Sequence, residues 1–178
     1  MHGSFCGELG KHVRFPILDR AKQHTATVQT NLGTFAFELD VKDSPCTTSS
    51  FASLAQKHFY DGLTFHRIVP GFVIQGGDPN GNGSGGPGYS VVDTPPADAS
   101  YARGVVAMAK AGAEPPGTSG SQFFVVTGAN AGLSPDYALL GKVTRGLDVV
   151  ARIGRLGNPQ TERPTRRIVI RRIVVAAT

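Results

Sequence analysis

Phe65-His66-Arg67-Ile68-Val69-Pro70-Gly71-Phe72-Val73-Ile74-Gln75-Gly76-Gly77-Asp78 holds two short apolar runs, broken at Pro70-Gly71. Runs of this length, rich in β-branched residues and bounded by Pro and Gly, read as strands. Arg67 and Gln75 are the strong hydrogen-bonding side chains expected to share a face with Phe72. Outward from this stretch the same texture repeats. Residues 25–39 (TATVQTNLGTFAFEL) are two runs around Asn31-Leu32-Gly33, with Phe35, Phe37 and Leu39 alternating, which predicts a hairpin. Further strands are expected at 104–109, 122–127, 138–143 and 168–175.

Helical signals are few. Asp43-Ser44-Pro45 marks a helix start, with Ser44 as N-cap and Pro45 in the first turn. Phe51, Leu54 and Ala55 then fall on one face, so a helix is expected to about Lys57. A second short helix fits residues 147–153, stopped by Gly154. Residues 77–100 form a long Gly/Pro/Asn/Ser loop. The order lacks the regular alternation of a parallel α/β fold. Seven or eight antiparallel strands with two helices suggest a closed barrel, which removes exposed sheet edges. Residues 1–22 are expected to be an N-terminal extension, and residues 23–178 one domain.

Composition agrees. A chain of 178 residues is long enough for one proper core, and 40% hydrophobic with 17% charged residues is ordinary globular usage. The 23 Gly and 12 Pro suit many short strands joined by tight loops. No window reaches the ~18–20 apolar residues of a membrane span, so no membrane partner is expected. The first 24 residues do not read as a signal peptide. Cys6 and Cys46 are too few for a disulfide framework and are expected to be free thiols, which points to the cytoplasm. Net charge is +5 with a pI near 9.5. Much of the excess is Arg163, Arg166, Arg167, Arg171 and Arg172, which punctuate apolar sequence without interleaved aromatics. A solvated strand edge fits them better than a nucleic-acid surface.

Three motifs resemble chemistry that the context does not support. Gly81-Asn82-Gly83-Ser84-Gly85-Gly86 satisfies G-x-G-x-x-G, but Pro87-Gly88 follows where a dinucleotide site needs a helix. The five histidines show no metal-ligand spacing, so no metal is expected. Ser119 or Ser121 with His66 and Asp78 would make a hydrolase set, yet the G-x-S-x-G elbow is missing.

Three segments stand out together: 65–78, Met108-Ala109-Lys110-Ala111-Gly112, and Gly120-Ser121-Gln122-Phe123-Phe124-Val125. Side chains alternate along a strand, so Phe123 and Phe124 point to opposite faces. One ring fills the interior while the other lines an outer groove. An apolar groove with a few placed donors suits an extended peptide.

FHRIVPGFVIQGGDPNGNGSGGPG and GSQFFV resemble the most characteristic stretches of the cyclophilin family, and the resemblance spans residues 25–175. It implies a mainly β fold, an eight-stranded antiparallel barrel closed by two helices, with the site on the barrel's outside. It implies peptidyl-prolyl cis-trans isomerase activity on proline-containing peptides and folding proteins, without cofactor. By motif position Arg67, Gln75 and Phe72 would be catalytic. Val73, Ala109, Lys110, Gln122, Phe124, Leu133 and Tyr137 would bind substrate. Phe72, Val73, Phe124 and Leu133 would grip the proline ring, and Arg67 would favour the twisted amide. A binding module of the same fold with little turnover is the alternative. The chain is expected to be a monomer. It departs from the family at Lys110, where many members have Asn, at Gly132, where some have Trp, and at Tyr137, where many have His. The altered Gly132 rim predicts weakened binding of cyclosporin, the cyclic peptide that many cyclophilins hold in this groove.

Overall fold

The computed structural model describes Cys6 and residues 15–178. Most of the expected N-terminal extension therefore lies outside the described residues. Where it is described, Leu18 packs against the core and its amide donates to Ser49 Oγ at 3.0 Å.

The elements in chain order are β1 (His24–Thr30), β2 (Gly33–Leu39), α1 (Pro45–Gln56), β3 (Arg67–Val69), β4 (Val73–Gly76) and β5 (Val91–Val92). They continue with β6 (Val105–Met108), β7 (Thr118–Ser119), β8 (Phe123–Val126), β9 (Leu139–Arg145), α2 (Leu147–Gly154) and β10 (Ile170–Ala177). Eight strands form one antiparallel sheet in the order β10-β1-β2-β9-β6-β8-β4-β3, and β5 pairs β7 in a separate ribbon. That ribbon lies inside stretches expected to be loop; two residues per strand are too few to show an alternation.

The expected closed barrel is not made. β3 and β10 are the two edges of the ladder, and the sheet is an open half-barrel. Across its open side run only an isolated bridge between Thr64 and Val169 and a few backbone bonds, such as Gly62 N to Ile170 O at 2.8 Å. The physical reason is β3 itself. It is three residues long and ends at Pro70, which has no N–H to extend a ladder.

Register sorts the side chains. Ile68, Ile74, Val125 and Val106 pair in one row across β3, β4, β8 and β6. All four are fully buried in the main core with Phe123, Phe37 and Phe51. The rows on either side face outward, and Val73, Phe124, Ala107 and Val126 belong to a second, smaller cluster. The two faces of one sheet thus hold two apolar bodies: the fold's core, and an outer one.

α1 begins at Pro45 with Ser44 at the N-cap position, but Ser44 makes no capping bond and its hydroxyl is buried without a partner. Asp93, next to β5, accepts the free Thr47 N–H at 2.6 Å and does the capping instead. Burial pushes the Asp93 carboxyl up, and its bonds to Thr47 and Cys46 pull against that. The free-thiol expectation is overturned: Cys6 and Cys46 form a disulfide across 40 residues, tying the chain's start to the first turn of α1. Spacing alone gives no sign of this, because the two Cα atoms come within 5.5 Å only after folding.

Candidate active site

A row of paired residues crosses the outer face. Arg67 lies opposite Gln75, Gln75 opposite Phe124, and Phe124 opposite Ala107. Neighbouring strands are ~4.8 Å apart, so Arg67 and Phe124 are about 10 Å apart at the backbone. The arginine and the amide come from one hairpin and the ring from β8, about fifty residues on; the ladder lines them up.

Arg67 is held from two sides. Its Nε donates to Glu162 Oε2 at 2.8 Å, and its Nη2 lies 2.8 Å from the same oxygen. Nη1 donates to Gln75 Oε1 at 3.2 Å. A guanidinium has five N–H groups. Among the described residues, one N–H on each terminal nitrogen therefore stays without a partner. Arginine can only donate, which fixes the rest of the relay. Gln75 turns its oxygen to Arg67 and donates through Nε2 to Gln122 Oε1 at 3.1 Å. Gln122 then donates to the carbonyls of Gly83 and Gly85 at 3.0 and 2.9 Å. The glycine-rich loop is thus clamped to the site. Its other organiser is Asp78, whose carboxylate accepts the N–H groups of Asn80, Asn82 and Gly83. Burial pushes Asp78 up, but those three bonds and the nearby His66 outweigh it, so the carboxyl sits below its usual range.

Beside the row is the apolar slot. Phe72, Val73, Phe124, Leu133, Ala109 and Tyr137, which the family resemblance nominates, all belong to the outer cluster. The Phe124 and Tyr137 rings meet edge to face, with centroids 5.5 Å apart. Lys110 does not reach into the slot. Its ammonium donates to the carbonyls of Ala111 and Glu114 and lies 5.6 Å over the Tyr137 ring. Among the described residues, neither the N–H nor the C=O of Lys110 has a partner, so its backbone is free for a peptide. Gly132 is exposed at φ +68, with open space where a side chain would be.

Two residues of the site escape sequence reading. Tyr101 is buried under the slot; its hydroxyl donates to Tyr137 O at 2.7 Å and accepts from Tyr137 N at 3.1 Å. Its place just before β6 is the only signal. Glu162 sits 95 residues from Arg67 in a turn-rich segment, and no local pattern reveals the pairing. Its φ of 59° is left-handed, a conformation that costs a non-glycine residue ~1–2 kcal/mol. The turn is held by Ile68 N donating to Glu162 O at 2.9 Å.

The hydrolase set does not assemble. The Ser119 hydroxyl bonds Thr47 and the Ser121 hydroxyl donates to Gly77 O, both buried. Among the described residues His66 Nδ1 is buried without a partner, and the Asp78 oxygens are taken by backbone. Burial is the main force holding His66 below its ordinary pKa; Arg67 adds to it and Asp78 opposes it.

Known proteins resemble this chain in sequence and in fold. The family described as cyclophilin type peptidyl-prolyl cis-trans isomerase/CLD matches residues 25–175. The Arabidopsis thaliana peptidyl-prolyl cis-trans isomerase CYP18-2 is 37% identical over 153 residues, covering 84% of this chain and 92% of that protein. Peptidyl-prolyl cis-trans isomerase B of Bacillus subtilis is 46% identical over 113 residues, covering 63% and 77%. A crystal structure of a Cryptosporidium parvum cyclophilin type isomerase overlays with a TM-score of 0.80 at 30% identity, over 88% of this chain and 99% of that one. A second structure of that protein, in the presence of the dipeptide Ala-Pro, overlays with a TM-score of 0.78.

Proposed function

The chain belongs to the cyclophilin-type peptidyl-prolyl cis-trans isomerases and is such an isomerase, and from that premise we propose that turnover takes place in the groove between Arg67 and Phe124. The observation that carries this reading is the paired row Arg67–Gln75–Phe124 beside the outer apolar cluster. An X-Pro bond rotates slowly because amide resonance raises a barrier of ~18–20 kcal/mol. Lowering it takes no nucleophile. Phe72, Val73, Phe124 and Leu133 grip the pyrrolidine ring. The unpartnered N–H groups of Arg67 bond the prolyl carbonyl and favour the prolyl nitrogen as it loses conjugation and becomes pyramidal. Stabilisation that grows in the twisted state raises kcat. Glu162 and Gln75 hold the guanidinium plane, so little ordering remains to be done on binding. Ala109, the Lys110 backbone and Gln122 keep the peptide extended, and Tyr137 closes the slot's rim.

Proline-containing peptides and folding proteins are the substrates this site fits. The Cryptosporidium parvum relative was crystallised in the presence of Ala-Pro, a ligand of matching chemistry. Monomeric action is supported by the surface: among the described residues Leu147 is the one large hydrophobic residue exposed. The cytoplasmic expectation stood on free thiols, and the Cys6–Cys46 bridge supports an oxidising compartment instead. The test of the site is NMR exchange on an Ala-Pro peptide. Catalysed exchange with amide shifts gathered at Phe72, Lys110, Phe124 and Tyr137 is expected. Exchange with shifts gathered elsewhere would move the site.

A further inference from the structure

The basic residues near the C-terminus are not one strand edge. Arg171 and Arg172 are on β10, but Arg163, Arg166 and Arg167 precede it and line a cleft of about 800 Å3 that also contains Arg67, Gln75 and His66. The cleft therefore adjoins the catalytic row on the side away from Phe124. Four arginines face it against one carboxylate, Glu162, and that carboxylate is committed to Arg67. His66, in the same wall, is kept from charging mainly by burial.

Arg163, Arg166 and Arg167 are exposed, and among the described residues their guanidinium groups have no partner. Two other arginines are used internally, Arg152 donating to Leu32 O and Arg103 to Thr127 O; Arg145, Arg155, Arg171 and Arg172 are also without a side-chain bond among the described residues, but they lie outside this cleft. The backbone beneath the three is nevertheless tied down. Asn158 N donates to Arg163 O at 2.8 Å, Thr165 N to Leu156 O at 2.6 Å, and Asn31 Nδ2 to Arg167 O at 3.0 Å. Uncommitted cations on a fixed loop are arranged to meet an anion, since little backbone order is lost when one arrives.

We propose that this cleft is a specificity subsite that reads an anionic side chain, carboxylate or phosphoryl, on the residues following the substrate proline. It rests on the placement of turnover beside Arg67. The Phe124 end of the row holds the ring and Arg67 holds the prolyl carbonyl, so the chain after the proline leaves past Arg67. At ~3.3 Å per extended residue, three residues carry it about 10 Å, the scale of the cleft. Arginine suits both anions, because its planar fork matches carboxylate and phosphate oxygens.

The test compares kcat/KM on a matched set of Ala-Pro peptides, at low and high salt, with wild type and an Arg163→Gln/Arg166→Gln/Arg167→Gln variant. The set carries two alanines, two glutamates, two lysines or one phosphoserine after the proline, plus a control with the glutamates before it. Wild type is expected to favour the glutamate and phosphoserine peptides over the alanine peptide by about five- to twenty-fold at low salt, fading as salt screens exposed charges. The larger ratio of the two identifies the preferred anion. In the variant both ratios fall towards one. A ratio of one in an active wild type would overturn the subsite while leaving the isomerase site standing; inactivity on every peptide would strike that site instead. Equal preference for glutamates before and after the proline would also overturn it, by showing attraction to net charge alone. So would a single-stranded oligonucleotide that binds the cleft more tightly than the acidic peptides do.

Discussion

Replacing Phe123 and Phe124 one at a time separates the two faces of β8. The Phe123 ring is fully buried and touches the rings of Phe51, Tyr60 and Phe65 edge to face, with centroids 5.8–5.9 Å apart. Phe→Ala in a core costs ~3–5 kcal/mol, and lost aromatic pairs push towards the upper end. That is a large share of the ~5–15 kcal/mol by which a domain is stable. Phe124 is 5% exposed, in the smaller outer cluster beside Tyr101 and Tyr137. That cluster opens to solvent and can collapse, so Phe124→Ala is expected to cost less, about 2–3 kcal/mol. Its larger effect is on turnover. Losing the ring from the proline slot removes about 2 kcal/mol of apolar contact, roughly thirty-fold in kcat/KM. The assay is a urea titration of each variant for midpoint and slope, with kcat/KM measured where each remains folded. Phe123→Ala should lose more stability and keep its specific activity when folded; Phe124→Ala should lose less stability and most of its turnover. Exchanged phenotypes would mean that the faces of β8 are reversed and that the groove is elsewhere.

Reduction of Cys6–Cys46, whose 40-residue separation corresponds to ~3–4 kcal/mol of loop closure in the unfolded chain, should lower the melting temperature by roughly 6–15 °C; identical melts with and without reductant would refute this. The isomerisation rate should be flat from about pH 6 to 9, because the step uses no titrating acid or base and His66 is held below its ordinary value; a histidine-like limb would implicate His66. Asp78 should contribute an acid-labile part of the stability: it is depressed in the folded state, so its contribution is present above the unfolded value near 3.8 and is lost as pH falls through the lower folded value, while the raised carboxyls of Asp40 and Asp93 act in the opposite sense. Asp78→Asn should remove that part of the acid slope, and an unchanged slope would rule the carboxylate out. Gly132→Trp should tighten cyclosporin about ten-fold, less whatever the left-handed backbone costs a side chain; equal and tight inhibition of both proteins would show that this rim does not govern binding.

Local pattern carried the eight strands of the main sheet and both helices, because each depends on neighbours in sequence, whereas the slot residues came from the family resemblance. Alternation put Phe123 and Phe124 on opposite faces and the family resemblance put Phe124 in the groove; the ladder has Phe123 in the main core and Phe124 in the outer cluster. What stayed hidden depends on distant pairing. The barrel's closure turns on whether β3 and β10 meet, and neither strand encodes its partner. Asp93 caps α1 across 46 residues, overriding the Ser44 that local rules nominate. Glu162 reaches Arg67 across 95 residues from a segment with no periodicity. The C-terminal arginines were legible as charge but not as two groups, since only the turn at 158–167 folds three of them towards the site.

Arg67 is proposed to stabilise the twisted amide, and the measurement that decides this role is kcat/KM of Arg67→Ala against wild type on one X-Pro peptide. Loss of a transition-state donor typically costs ~10²–10³ in rate, and Arg67→Lys should recover only part of it, because a point charge does not reproduce the fork. A fall of that size, with the urea midpoint little changed, is the predicted result. Wild-type turnover in folded Arg67→Ala would contradict the account.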